Sequence, residues 1–262
     1  MEREVTSEGV ERMSSENGVV IVTGAAGGLG SAVARRFRAS GAKVVLMDRN
    51  EAAVKKLAAE IDEGNEHTLT YSADLLNYAS LQAMAAATVE RWGRIDIVLN
   101  TAGGTLAMLT KKDNKALLDQ TEEEWDLVVN VNLKGSFNCV RAVAPYMIQQ
   151  QSGHIILVAS GTGIRPGPRM SSYAAAKAGV LGLMKSAARD LGEYNVQVNA
   201  VNPGLITHEL LALGGASAEG YTSETMLGRL SSPEEFADFV VYISQMKSIS
   251  GQIYNVDSRV LF

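Results

Sequence analysis

Residues 19–30 read VVIVTGAAGGLG, a run of β-branched residues that leads directly into a glycine-rich turn. β-Branched residues favour a strand, and glycines permit a tight turn whose backbone N–H groups approach a ligand closely. Residues 31–40 continue with the apolar spacing of a helix. Because the N-terminus of a helix attracts negative charge, such a turn favours a phosphate group. The stretch therefore predicts a strand, a phosphate-binding turn and a helix, in that order.

Apolar, β-rich runs alternate with helical patterns along the rest of the chain. We predict strands over residues 19–23, 43–48, 68–73, 95–100, 154–160, 197–201 and 252–256, and helices over residues 31–40, 51–61, 78–92, 122–150, 173–192 and 233–245. Asn50 and Ser232 directly precede two of these helices and are predicted as their N-caps. Repeated strand–helix units imply right-handed crossovers. The predicted fold class is therefore α/β, a Rossmann-type doubly wound parallel sheet of about seven strands with helices on both faces.

The chain is predicted to form a single domain over residues 18–262, because no linker, repeat or low-complexity segment divides it. Residues 1–17 are polar and are predicted to form a flexible tail. Two predicted loops are long, residues 103–121 after the fourth strand and residues 205–231 after the sixth. Both begin at the carboxyl ends of parallel strands, where open α/β sheets bind their ligands. We predict that residues 205–231 form a lid over the substrate.

The composition argues against several classes of protein. The net charge of the 262 residues is −5 and no cluster of Lys or Arg is present, so nucleic acid is not an expected partner. No apolar run approaches the ~18 residues of a membrane span, and residues 1–17 lack the apolar core of a signal peptide. We therefore expect a cytoplasmic protein without a membrane partner. Cys139 is the one cysteine, and no cluster of His, Cys and carboxylates predicts a metal site.

The second predicted strand ends in Asp48. In a dinucleotide-binding βαβ unit, a carboxylate at this place accepts hydrogen bonds from the adenosine ribose hydroxyls and repels a 2′-phosphate. The sequence thus favours NAD as the cofactor. Arg49 leaves NADP open, because a guanidinium pairs well with phosphate. A solvated Asp48 at a strand end, without a ligand, is the remaining alternative.

Further motifs follow in order along the chain. They are TGAAGGLG at 23–30, Ala73-Asp74-Leu75, NTAG at 100–103, VNLKG with Asn132, Ser160, Tyr173-Ala-Ala-Ala-Lys177 and Asn202-Pro203-Gly204. In these motifs the chain resembles the classical short-chain dehydrogenase/reductase family, whose patterns are TGxxxGxG, NNAG and YxxxK. The resemblance covers nearly everything from Val19 to Asp257.

The resemblance implies a catalytic set and a cofactor site. The implied catalytic residues are Asn132, Ser160, Tyr173 and Lys177. The implied cofactor contacts are Gly24, Gly28, Leu29, Gly30, Asp48, Arg49, Asp74, Leu75, Asn100, Ala102, Tyr173, Lys177, Pro203 and Ile206. Ser160 would hold the substrate oxygen, Lys177 would also bind the nicotinamide ribose, and Asn132 would position a water that links Lys177 to solvent. The resemblance further implies a homo-oligomer, a tetramer or a dimer, built on the helices predicted over 122–150 and 173–192.

Tyr173 and Lys177 are four residues apart and so lie on one face of the predicted helix. A free tyrosine, with a pKa near ~10, is a poor base at neutral pH. A neighbouring ammonium stabilises the phenolate and lowers that pKa. Tyr173 is therefore predicted to take the alcohol proton as the hydride leaves, or to donate it in the reverse direction.

Two segments depart from the family pattern. Thr207 and His208 follow Pro203-Gly204 where the family has PGxxxT, so the contact to the nicotinamide carboxamide stays open between these two side chains. The C-terminal residues are NVDSRVLF, whereas NVDGG is common in the family. The family pattern therefore does not predict the subunit contacts of these residues.

The leading hypothesis is an NAD-dependent oxidoreductase that interconverts a secondary alcohol and a ketone. The side chains predicted to line the substrate site are mainly apolar, which favours a neutral substrate; they are Leu106, Met108, Leu109, Ile164, Met170, Leu205, Leu210, Leu211, Leu213 and Met226. The alternative enzyme is an NADPH-linked 3-oxoacyl-thioester reductase, and Arg165 and Arg169 would suit its anionic substrate. A third hypothesis is a protein that is not an enzyme, a non-catalytic NAD-sensing scaffold. Such a protein would not need the complete proton relay of Asn132, Ser160, Tyr173 and Lys177.

Overall fold

A parallel β-sheet forms the centre of the protein, as seen in a computed structural model that describes residues 18–204, 222–223 and 225–259. In this part of the chain the sheet has seven strands in the order β3-β2-β1-β4-β5-β6-β7. The strands are β1 Val19–Thr23, β2 Lys43–Asp48, β3 Thr68–Ser72, β4 Ile97–Asn100, β5 Gly153–Val158, β6 Val196–Asn202 and β7 Ile253–Asn255. All neighbouring pairs are parallel. The predicted sheet is confirmed.

Helices cover both faces of the sheet. They are α1 Gly28–Ala39, α2 Glu51–Ile61, α3 Tyr78–Trp92, α4 Leu106–Thr110, α5 Glu122–Val129, α6 Gly135–Gln150, α7 Ser171–Gly192 and α8 Pro233–Ser244. Side chains alternate along a strand, so Val20 and Val22 of β1 pack with α1, α2 and α8, whereas Ile21 packs with α3, α6 and α7. Cys139 of α6 lies fully buried in the second of these layers. The two apolar layers explain the doubly wound architecture.

Both predicted N-caps are confirmed. The side chain of Asn50 accepts a hydrogen bond from the backbone N–H of Ala53 at 3.1 Å. Ser232 and Glu235 form a reciprocal capping box at the start of α8. Such caps satisfy N–H groups that have no carbonyl partner in the first turn of a helix.

The helix predicted over residues 122–150 differs from the structure, because a π-helical turn over Asn130–Lys134 separates α5 from α6. Asn132 lies in this turn, and its amide donates to the carbonyl oxygens of Val128 and Gly104 at 2.8 and 2.9 Å. Its Oδ1 accepts from the N–H of Gly104 at 3.1 Å. The widened turn therefore brings Asn132 to the loop after β4, and π-turns are frequent at functional sites.

Several predictions concern residues outside the described ones. The tail over residues 1–17, Ile206, Thr207, His208 and most of the lid over residues 205–231 fall in this category and stay predictions. In the part of the chain that the structure describes, no helix has the length and apolarity to cross a membrane.

Candidate active site

The glycine-rich turn joins β1 to α1 and packs tightly against the end of β4. Gly24 has a φ of +69°, which L side chains rarely adopt, and a Cβ there would lie 2.8 Å from the backbone of Ala102. A Cβ at Gly30 would lie 2.2 Å from the carbonyl oxygen of Gly24. Only glycine fits these two positions, so the turn stays open toward the N-terminus of α1, where a phosphate is favoured.

This turn borders a cavity of about 590 Å³ at the carboxyl edge of the sheet. Nine of the predicted cofactor contacts line it: Gly24, Gly28, Leu29, Gly30, Asp48, Arg49, Asp74, Leu75 and Ala102. The segment after β4 also lines the cavity, with Met108, Leu109, Lys111 and Lys112 among its residues. A crevice at this edge, next to the glycine-rich turn, suits a dinucleotide.

Asp48 is fixed against the glycine-rich turn. Its Oδ2 accepts a hydrogen bond from the N–H of Ala26 at 3.2 Å, and its Oδ1 accepts from the N–H of Asn50 at 3.0 Å. Arg49 beside it is exposed. The carboxylate is therefore fixed at the end of β2, on the lining of the cavity.

Four other predicted cofactor contacts are not among the residues that line this cavity: Asn100, Tyr173, Lys177 and Pro203. Asn100 is 2% exposed, accepts from the hydroxyl of Thr23 at 2.5 Å and donates to Oγ of Ser136 at 2.9 Å. Oγ of Ser136 in turn donates to the carbonyl oxygen of Asn132 at 2.6 Å. This buried chain joins β1, β4 and the π-helical turn, so Asn100 supports the site from within the protein. Pro203 is buried directly after β6.

Tyr173 and Lys177 lie one turn apart near the start of α7. The ammonium of Lys177 is 5.6 Å from the centre of the Tyr173 ring and donates to the carbonyl oxygen of Val158 at 2.8 Å. Lys177 is only 4% exposed. A buried ammonium interacts more strongly with a neighbouring negative charge than a solvated one does.

Asn132 reaches the same place from the π-helical turn. A Cβ at Gly103 would lie 2.4 Å from Oδ1 of Asn132 and 3.5 Å from Nζ of Lys177, so Gly103 separates the two side chains without filling the space between them. The structure thus brings Asn132, Lys177 and Tyr173 together around the end of β4.

Ser160 follows β5 and begins a short 3₁₀ turn over Gly161–Gly163. Its Oγ accepts a hydrogen bond from the N–H of Thr162 at 3.2 Å. The turn packs against α7, because a Cβ at Gly163 would lie 2.8 Å from the backbone at Lys177 and Ala178. The hydroxyl of Ser160 therefore lies at the same edge of the sheet as the tyrosine helix.

The comparisons with known proteins agree with this geometry. A family model described as short chain dehydrogenase matches residues 18–213. The chain belongs to the short-chain dehydrogenase/reductase family. It is 36% identical to a 3-oxoacyl-acyl-carrier-protein reductase of Thermotoga maritima, over 95% of this chain and 100% of that protein. The family resemblance predicted from the motifs is confirmed, and as a family member the protein is an oxidoreductase that uses a nicotinamide cofactor.

Two further relatives extend the comparison. A subunit of a hydroxy(phenyl)methylsuccinyl-CoA dehydrogenase of Thauera aromatica is 34% identical, over 95% of this chain and 99% of that protein. The crystal structure of a short chain dehydrogenase from Bacillus anthracis is 33% identical, with a TM-score of 0.84, and covers 94% of this chain and 96% of that one. This structural likeness confirms the predicted Rossmann-type α/β fold.

Some lining residues differ from the sequence-based expectation. Of the predicted substrate wall, Met108 and Leu109 line the cavity, but Leu106 is 3% exposed and belongs to the buried interior, and Met226 is 73% exposed. Lys111 and Lys112 were not predicted. Their only sequence signal is the length of the loop that carries them, since neither belongs to a family motif.

Proposed function

We propose that this chain interconverts 3-hydroxyacyl and 3-oxoacyl thioesters with NAD(H). The observation that carries the chemistry is the buried ammonium of Lys177 beside the ring of Tyr173. The substrate class rests on two relatives, one named for a 3-oxoacyl-acyl-carrier-protein and the other for an acyl-CoA. These names favour the thioester alternative over the neutral alcohol that the apolar wall suggests.

In this proposal the bound nicotinamide supplies the hydride in reduction and accepts it in oxidation. Tyr173 donates a proton to the carbonyl oxygen during reduction and takes it from the hydroxyl during oxidation. Ser160 donates a hydrogen bond to the same oxygen and orients it. Lys177 stabilises the phenolate form of Tyr173, and Asn132 holds the loop at Gly104 in place beside it.

The proposed preference for NAD(H) rests on the place of Asp48 against the glycine-rich turn. A 2′-phosphate would bring a like charge to this carboxylate. Arg49 supports NADP(H) as the second candidate, because it lines the same cavity and, among the described residues, forms no ion pair.

The test is an assay of the purified protein with acetoacetyl-CoA and with neutral cyclic or aryl ketones, each with NADH and NADPH. We expect kcat/KM for acetoacetyl-CoA to exceed that for the neutral ketones at least tenfold. Faster turnover of the neutral ketones would favour the hypothesis of a neutral secondary alcohol or ketone as the substrate. Tight NADH binding without turnover of any carbonyl would favour the sensing scaffold.

We also propose a cytoplasmic homo-oligomer, a tetramer or a dimer, as the family resemblance implies. Trp125 of α5 and Phe137 of α6 support it, because 37% and 47% of these large apolar side chains are exposed in the single chain. Light scattering after size exclusion tests the assembly, and a monomer would contradict it.

A further inference from the structure

Gln120 is not among the residues that line the cofactor cavity, but it contacts the helix that carries Tyr173. Its Nε2 donates to Oγ of Ser172 at 2.7 Å, and its Oε1 accepts from Oγ of Ser171 at 2.9 Å. Both ends of the Gln120 amide are thus bound to the two residues that precede Tyr173. Ser172 is 4% exposed, and its bond to Gln120 is partly buried.

The backbone at Gln120 is itself held by the start of α5. Thr121 caps this helix in a reciprocal capping box with Glu124. α5 packs against α7 and continues into the π-helical turn that contains Asn132. Gln120 therefore connects the beginning of the helix that leads to Asn132 with the beginning of the helix that bears Tyr173 and Lys177.

The other contacts at this junction include the packing of α5 against α7 and a hydrogen bond from the amide of Asn114 to the sulfur of Met170 at 3.9 Å. The residue before α7, Met170, provides no side-chain cap. In the 3₁₀ turn that precedes Gln120, Leu117 and Leu118 are 68% and 95% exposed, so apolar packing of these two leucines does not hold the segment. The paired hydrogen bonds of Gln120 therefore add a side-chain link between the starts of these two helices to the packing of α5 against α7.

We propose that Gln120 is a positioning residue, which acts through Ser171 and Ser172 to hold Tyr173 in register with Asn132. This inference rests on the proposed role of Tyr173 as the acid/base. A proton donor must stay within hydrogen-bond reach of the reacting oxygen, and a displacement of about 1 Å can cost on the order of 100-fold in rate.

The test replaces the Gln120 amide and measures kcat and the Kd of NADH separately. Gln120→Ala is expected to lower kcat about 10- to 100-fold, to raise the solvent isotope effect on kcat, and to leave the Kd of NADH within about twofold. Gln120→Glu keeps two oxygen acceptors for the serine hydroxyls, so it should recover much of the lost kcat. Gln252→Ala is the matched control, because Gln252 is exposed and bonds to Ser250 near β7.

A double-mutant cycle shows whether Gln120 acts through the serines. The Ser171→Ala/Ser172→Ala variant should lose kcat as Gln120→Ala does, and adding Gln120→Ala to it should cost little more. Unchanged kcat in Gln120→Ala, while Tyr173→Phe is inactive, would overturn the inference and leave the proposed function standing. A fully active Tyr173→Phe variant would instead overturn the proposed function. A parallel loss of kcat, NADH affinity and Tm would assign Gln120 a general structural role and also overturn the inference. If Gln120→Ala does not fold, the kcat of the Ser171→Ala/Ser172→Ala variant tests the inference, and an unchanged kcat overturns it.

Discussion

At the scale of single residues, the phenol of Tyr173 is the group on which the proposed chemistry depends. Tyr173→Phe removes the hydroxyl and keeps the ring, so packing near Lys177 should be preserved. We expect a folded protein that still binds NADH and loses about 10²- to 10⁴-fold in kcat, the usual contribution of general acid–base catalysis. Steady-state kinetics and NADH fluorescence measure the two effects. Retention of a tenth of the activity would remove Tyr173 from the mechanism.

Lys177 should behave differently from Tyr173. Its ammonium approaches the Tyr173 ring and donates to Val158, and the family resemblance adds a contact to the nicotinamide ribose. Lys177→Met is therefore expected to weaken NADH binding and to lower kcat, whereas Tyr173→Phe lowers kcat alone. An unchanged Kd for NADH in Lys177→Met would argue against the ribose contact.

Asp48 is the residue that sets the proposed cofactor preference. Asp48→Ala removes the charge that would oppose a 2′-phosphate and leaves Arg49 free to attract it. The ratio of kcat/KM for NADH to that for NADPH should fall by roughly tenfold or more, which corresponds to about 1.4 kcal/mol. The ratio is measured for both proteins with one substrate. Equal use of both cofactors by the unmodified protein would contradict the assignment.

At the scale of elements, β5, β6 and α8 enclose a histidine at the opposite end of the sheet from the site. His154 of β5 is 0% exposed, and this burial lowers its pKa from 6.5 to about 4. Nε2 of His154 lies 2.8 Å from the amide nitrogen of Asn199, which is a donor. A proton on Nε2 would point at the N–H of the Asn199 amide. The neutral imidazole, with Nε2 as the acceptor, is therefore the form that suits this contact.

This histidine should make the fold sensitive to acid. Because its pKa is lower in the folded protein, the unfolded chain binds more protons below about pH 6.5. Stability is therefore complete above that pH and falls as the pH decreases toward 4, by on the order of 3 kcal/mol in total. Urea unfolding at pH 7, 6 and 5 should show a shallower loss in His154→Gln than in the unmodified protein. Equal slopes for the two proteins would contradict the prediction.

The elements also show what the sequence could predict. β1 and β2 have the predicted ends, since β-branched and apolar runs bounded by glycine or Asp48 leave little choice. The π-helical turn and α4 were not predicted. The first depends on hydrogen bonds between Asn132 and Gly104, and the second on a bond from the N–H of Ala107 to Asn114. Such contacts do not change the local apolar spacing from which helices are predicted.

At the scale of the whole molecule, the excess of acidic residues does not extend to the cofactor cavity, where cationic and acidic side chains are equal in number. The chain carries −5 overall, yet Arg49, Lys111 and Lys112 line the cofactor cavity together with Asp48, Asp74 and Asp113. The two lysines come from the segment after β4 and line the cavity together with the glycine-rich turn. They offer the diphosphate of a dinucleotide a second source of positive charge, which dissolved salt would screen.

The double variant Lys111→Ala/Lys112→Ala should bind NADH about 3- to 10-fold more weakly at low salt, by loss of this attraction. The dependence of its Kd on salt should also be smaller than in the unmodified protein. Lys115→Ala is the matched control, because Lys115 pairs with Glu124 and is not among the residues that line the cavity. Titration calorimetry at two salt concentrations measures the Kd of NADH for each variant. An equal effect of Lys115→Ala would indicate a general effect of net charge and not a local effect of Lys111 and Lys112.

The sequence predicted some residues of the candidate site and missed others. Asp48 and Ser160 lie where parallel strands end, so their positions follow from topology alone. Gln120 and Lys111 come from the loop after β4, whose path depends on contacts with α7 and the cavity wall. No local pattern encodes that path, so these residues became visible only in the folded chain.

The buried position of Cys139 has a practical consequence for labelling. Burial raises the pKa of its thiol to about 12, so almost none of it is the reactive thiolate at neutral pH. Since the chain contains 1 cysteine, a maleimide dye should find no target on the native protein. A cysteine introduced at the exposed Leu118 would then be the sole attachment point. A fluorophore there would report movements of the loop beside Gln120 during turnover, without any background to subtract.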